Sequence, residues 1–243
     1  MVKLVGILKW VLLLGYFPVM LAFVSVSHQS VVCSDVNVIV KDSAQARFVN
    51  AEDVRKSILN AYPSLLGKTV SQLNFNEMEA FVNKHSAIRS TQVYNSGSGV
   101  LNVMITQHEP ILRVFAAEGT FYLDETGRQV PVSSNFSAHV LVASGTVPKD
   151  RSDLVKVARK LARDPFWTAQ MEQIYIRRNN EYILVPRVGD HLILLGQPED
   201  VEKKLRNLKV LYTSGLDPKE WNEYQVINLK YKNQVICSRK RSL

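Results

Sequence analysis

Between Lys9 and Asp35 the chain carries no charged residue, and residues 10–26, WVLLLGYFPVMLAFVSV, are almost wholly apolar. No other stretch constrains the fold as strongly, because such a run needs a different solvent from the rest of the protein. At about 1.5 Å rise per residue a helix over 10–26 spans roughly 25 Å, short of a hydrocarbon core of about 30 Å. Extension back to Leu4 makes up the difference if Lys9 snorkels its ammonium to the headgroups. Pro18 kinks such a helix, which membranes tolerate. Lys3 and Lys9, with no acid beside them, favour a short cytoplasmic tail over 1–9 and a transmembrane helix over 10–28, with the remainder on the far side. A cleaved signal peptide is the competing reading, since Ser25-Val26-Ser27 offers a cleavage site. A lipoprotein signal fails because Val32, not a small residue, precedes Cys33.

The apolar content of 46% is therefore an average over two environments, and beyond Asp35 acids and bases are mixed on a mildly basic chain without a long basic block. That excludes a disordered or collagen-like chain and suits one or two small domains. Cys33 and Cys237, far apart in sequence, make no small disulfide scaffold. A terminal bridge and two unpaired thiols both remain open.

Residues 35–108 read as a β-α-α-β-β unit. Val36, Val38 and Val40 alternate with polar positions, as in a half-buried strand. Asn50 caps a helix with Val54, Ile58, Ala61 and Tyr62 on one face, ended by Pro63 and Gly67. A second short helix is expected from near Asn76, with Met78, Phe81 and Val82 inward. Strands at 88–94 and 100–108 flank Asn95-Ser96-Gly97-Ser98-Gly99, which supplies the positive-φ residues of a hairpin. No Lys and no helix follow this string, so it is no phosphate loop.

Further on, Phe121-Tyr122-Leu123-Asp124 and 128–132 flank a three-residue turn with Gly127, where Asp124 and Gly127 have a structural role. Asp150 and Ser152 open a helix with Leu154, Val157, Ala158 and Leu161 inward, ending before Asp164-Pro165. A hairpin joins 174–176 to 182–185, a strand covers 191–195, and Pro198-Glu199-Asp200 are expected in the first turn of a helix with Val201, Leu205, Leu208 and Leu211 inward. A single strand over about 224–238 closes the chain. Without a regular βαβ rhythm, the fold class is α+β with a mixed, largely antiparallel sheet in the second unit.

Nothing points to catalysis. His28, His85, His108, His139 and His191 are scattered, and metal-ligand spacing, a GxSxG elbow and Ser-x-x-Lys are absent. The paired acids lie in turns or at helix starts. No cofactor is expected.

The order of features is more specific than any one of them. A Lys-bearing tail, one membrane helix, the β-α-α-β-β unit, Glu109-Pro110-Ile111-Leu112-Arg113, the Tyr-Leu-Asp-x-x-Gly hairpin at 122–127 and Ile227-Asn228-Leu229-Lys230-Tyr231 follow in sequence. This resembles the FtsQ/DivIB family of bacterial cell-division proteins over essentially the whole chain, and the final strand is most similar to the Bacteroidetes branch. The resemblance implies a bitopic inner-membrane protein with a cytoplasmic N-terminus and periplasmic domains at the division septum. Its parts are a membrane-proximal POTRA domain at 34–108, an FtsQ-type β domain at 109–238 and a basic tail at 239–243. It implies a non-enzymatic scaffold binding FtsB-like and FtsL-like partners, with strand addition beside the last strand. Carried over, the partner-binding residues are Leu229, Lys230, Tyr231, Asn233, Gln234, Val235 and Ile236. The tail over 1–9 is shorter than in many relatives. Lys230, Lys232, Arg239, Lys240 and Arg241 would steer acidic segments, although edge lysines also serve against aggregation. The alternatives are a membrane-anchored POTRA protein of secretion or outer-membrane assembly and a signal-peptided periplasmic enzyme.

Overall fold

A computed structural model describes residues 13–18, 20, 31–41, 47–134 and 136–240, and the chain divides into two units, Met1–Gln107 and His108–Leu243. The expected tail over 1–9 and most of the expected membrane helix over 10–28 lie outside the described residues. Residues 13–18 and 20 are helical, and among the described residues no helix is long and apolar enough to cross a membrane.

The first unit runs β1 (Asp35–Val40), α1 (Ala51–Ala61), a 3₁₀ turn (Val70–Gln72), α2 (Phe75–Val82), β2 (Ile88–Asn95) and β3 (Val100–Gln107). Its sheet has the order β1-β3-β2, with β1 parallel and β2 antiparallel to the central β3. Parallel pairing of β1 with β3 requires a long crossover, which the two helices supply. Asn50 caps α1 as expected, its Oδ1 accepting from the Glu52 N–H at 3.0 Å. Val54 and Ile58 face the core, but Ala61 is exposed and Leu65 closes that end instead. The second helix begins earlier than expected, because Asn74 is its cap and accepts from the Glu77 N–H at 3.2 Å. The Gln107 Oε1 accepts from the Val49 N–H at 2.9 Å, so the end of β3 holds the entrance to α1.

The second unit contains β4 (Pro110–Ala116), β5 (Gly119–Asp124), β6 (Gln129–Pro131), β7 (Leu141–Gly145), α3 (Ser152–Ala162), α4 (Pro165–Gln170), β8 (Met171–Ile176), β9 (Tyr182–Pro186), β10 (Leu192–Gly196), α5 (Val201–Val210), β11 (Tyr224–Asn228) and β12 (Ile236–Arg239). The nine strands form one sheet in the order β12-β11-β10-β9-β8-β7-β4-β5-β6. Five of its eight pairings are antiparallel, so the sheet is mixed and largely antiparallel, as the sequence implies.

Two of the parallel pairings, β7 with β8 and β10 with β11, are the ones bridged by helices. Both crossovers step in the same direction along the sheet from strands of the same orientation. Their common right-handedness therefore places α3 and α5 on one face. Leu154, Val157, Ala158 and Leu161 of α3 and Val201, Leu205 and Leu208 of α5 bury there against Leu112, Val114, Ala143, Ile174, Leu184, Ile193 and Ile227 of the sheet.

Three helical expectations need correction. Asp164-Pro165 ends α3 but also starts α4, since the Asp164 Oδ1 accepts from the Phe166 N–H and Pro165 occupies the first turn, where its missing N–H costs nothing. Asp200 is not in the first turn of α5; it stands just outside in the left-handed region (φ 50°), and the helix starts at Val201. Beyond α5 the helix loosens into a π turn over Leu211–Gly215, which leaves Leu211 half-buried and turns Tyr212 into the core.

Candidate partner-binding site

The expected single strand over 224–238 is two strands. β11 ends at Asn228, and β12 returns antiparallel beside it from Ile236, with Asn228 opposite Ile236 and Ile227 opposite Cys237. The break is local chemistry. The Asn228 Oδ1 accepts from the Lys230 N–H at 3.0 Å, and Asn233 is left-handed with φ 61°. Side chains that bond their own backbone two residues on, and tolerate the left-handed region, turn a chain. The alternation Ile227, Leu229, Tyr231 reads as one continuous strand, yet Leu229 is buried while Tyr231 is 54% exposed. Leu229, Lys230, Tyr231, Asn233, Gln234 and Val235 therefore lie in the connector, and of the seven expected residues Ile236 alone is on a strand.

The connector still brings these residues together. Leu229, Lys230, Tyr231, Asn233, Gln234 and Val235 form one wall of a cleft of about 240 Å³, and Glu199, Asp200, Lys203, Lys204 and Asn207 around the start of α5 form the other. Its cations are not equivalent. The Lys230 stem lies over Gly196, where a Cβ would stand 2.7 Å from its Cγ, and its Nζ reaches the Glu181 Oε1 at 3.1 Å. That contact, with Arg177 nearby, holds the Glu181 carboxyl below its ordinary range. Lys204 donates to the Leu195 and Gln197 carbonyls, and burial lowers its pKa. Lys203 and Lys232 have no acidic partner among the described residues, so they are the cations open to an incoming segment. Lys230 is a tie within the unit, a role its position in the sequence conceals.

β12 is an edge strand: among the described residues its one neighbour is β11, and Ile236, Ser238 and Arg239 are exposed. An edge strand keeps a row of backbone N–H and C=O groups available for a further strand. The edge is braced from below. Arg239 pairs with Glu220 and Glu223 at 3.3 and 3.2 Å and lies over the Tyr224 ring, while the Lys240 Nζ meets Asp190 at 3.0 Å. The basic tail residues Arg239 and Lys240 are thus bound within the unit. Under this edge Trp221, Tyr212 and His191 pack together, with the His191 Nε2 and the Tyr212 hydroxyl 2.6 Å apart. Burial lowers the His191 pKa.

Cys33 and Cys237 are both free thiols, and among the described residues no group of His, Cys, Asp and Glu is arranged to hold a metal ion.

A model described as FtsQ/DivIB, C-terminal related, matches residues 109–238, and a POTRA-like domain model matches residues 31–106. No curated protein matches the chain. The first model covers more than half of the chain, and the β-α-α-β-β order of the first unit agrees with the second. The chain belongs to the FtsQ/DivIB family, a family of non-enzymatic cell-division proteins.

Proposed function

We propose that this protein is a divisome scaffold whose activity is binding. Residues 1–9 are its cytoplasmic tail, 10–28 its inner-membrane anchor, 34–108 its POTRA domain, 109–238 its partner-binding β domain and 239–243 its basic tail. At the septum, FtsB-like and FtsL-like partners dock on the last strand and the adjoining connector, through Leu229, Lys230, Tyr231, Asn233, Gln234, Val235 and Ile236. Through them the protein links early and late division components.

The observation that carries this reading is the open edge of β12 at one end of the nine-stranded sheet, continuous with a cleft that presents Tyr231 and the free cations Lys203 and Lys232. Strand addition draws affinity from the backbone edge and specificity from alternate side chains. Within the proposed seven, Leu229 is buried and Lys230 is tied to Glu181, which supports a part in shaping the docking connector, whereas Tyr231 and Ile236 are exposed, which supports direct contact with a partner.

Co-purification of the FtsB-like partner with full-length protein tests the site. Tyr231→Ala combined with Ile236→Asp is expected to lower the yield of partner at least tenfold while circular dichroism stays unchanged. Undiminished capture with an unchanged spectrum places the partner elsewhere.

A further inference from the structure

The first unit is fastened to the chain that leads into it. The Val70 N–H donates to the Val31 carbonyl at 2.9 Å, the Cys33 N–H to Lys68 at 2.8 Å, and the Gly67 N–H to Cys33 at 2.9 Å. On its other side the Ser34 N–H donates to the Gly99 carbonyl at 2.8 Å. Gly99 has φ +82°, and a Cβ there would stand 2.4 Å from the Val32 oxygen, so the hairpin tip closes directly onto this segment. Residues 31–34 are therefore held between the 3₁₀ turn at 70–72 and the β2–β3 hairpin tip.

Four residues, 27–30, separate this fastening from the apolar run 10–26. Fully extended, the five steps from residue 26 to residue 31 reach about 17 Å. The interfacial layer on each side of the hydrocarbon core takes up roughly 5–8 Å of that. Whichever end of the unit carries Val31 is thus kept at the bilayer surface.

The segments that build that end are poor in charge. No Asp, Glu, Lys or Arg occurs between Arg89 and Glu109, over 69–76, or over 31–34, in a protein with 21% charged residues. That end presents serines, Gln72 and backbone groups, together with Val32 at 44% and Tyr94 at 39% exposure, and exposed Lys68 and Asp35 flank it. Tyrosine suits the interface because its ring is apolar and its hydroxyl wet. The opposite end of β2 carries exposed Arg89, roughly 20 Å from the tip at about 3.4 Å per residue, with His85 and Lys84 close by in sequence.

We propose that the end of the first unit built from Val32, Tyr94, the 70–72 turn and the 96–99 tip rests in the phospholipid headgroup layer, so that the POTRA unit stands on the membrane in one orientation. This rests on the reading of residues 10–28 as a membrane anchor. The seat fixes which edges of the small sheet face the lipid and which face other division proteins.

The test uses full-length protein in phosphatidylethanolamine/phosphatidylglycerol nanodiscs, in a Cys237→Ser background, with a nitrobenzoxadiazole probe on Ser98→Cys or on Arg89→Cys. Cys33 is 1% exposed and stays unlabelled. Emission from position 98 is expected to be blue-shifted and quenched severalfold more by doxyl-labelled lipid than emission from position 89, and Tyr94→Glu is expected to reduce that difference. Equal quenching at the two positions, in protein that resists alkaline carbonate extraction, overturns the seat and leaves the anchor standing. A blue shift at 98 without lipid quenching assigns the surface to a protein partner and overturns it too. Release of the protein by carbonate overturns the anchor reading and the seat together.

Discussion

Asp124 shows how much one side chain can organise. Its Oδ1 accepts from the Thr126 N–H and hydroxyl and from the Arg128 N–H, at 2.9, 2.6 and 2.9 Å, and its Oδ2 meets the His108 Nδ1 at 2.8 Å. Asp in a tight hairpin is legible from the sequence, where it reads as a turn former. The His108 contact is not legible, because the two residues meet across β4 and β5. Burial raises the Asp124 pKa, but the hydrogen bonds from Thr126, Arg128 and His108 prevail and leave it below the ordinary carboxylate value. A carboxylate with a depressed folded pKa stabilises the fold fully above its unfolded value of about 3.9, and the stabilisation is lost as pH falls through the folded value. Urea unfolding of the second unit should therefore show stability dropping below about pH 4. Asp124→Asn should flatten that part of the profile. Asp124→Ala at neutral pH, which strands several buried donors, should cost about 2–3 kcal/mol. A wild-type acid profile unchanged by Asp124→Asn would remove the carboxylate from this role.

At the scale of elements, the β11–β12 hairpin is where pattern and structure part. Periodicity of two continues across Ile227, Leu229 and Tyr231, so nothing in the hydrophobic pattern marks a turn. The signals are Asn228 and Asn233, whose side chains favour turns. They compete with that pattern and win because reversal gives β12 a full antiparallel partner. Asn233→Val, forcing a β-branched residue into φ 61°, should cost about 1–2 kcal/mol. Hydrogen exchange would register it as faster exchange in β12 than in β8 or β9, and uniform protection would show that the left-handed turn does not limit the hairpin. If the proposed docking mode holds, the same variant also lowers partner capture, since the edge and the connector are presented together. Helix ends teach a similar lesson. Asp164-Pro165 contains both a stop for α3 and a cap for α4, and the stop signal masks the start signal because the two share the same residues.

On the scale of the whole molecule, the division at Gln107/His108 gives each unit a core of its own. Ile58, fully buried in the first unit, reports on that core alone. Ile58→Ala is expected to cost about 3 kcal/mol and, in calorimetry of the full chain, to lower one transition while the transition of the second unit stays in place. A common shift of both would show that the units unfold as one.

The sequence by itself determined the elements with a strong local code: capped helices with apolar stripes, hairpins marked by glycine, an apolar N-terminal run, and an order of motifs that identifies the family. Those properties depend on neighbours within a few positions. The tertiary structure decided what depends on distant pairing. It set the nine-strand order, with two crossovers on one face. It tied Lys230 to Glu181 and Arg239 to Glu220, and so separated structural cations from free ones. It also split the last strand in two, because the backbone of β12 is satisfied by folding back on β11 and not by running on alone.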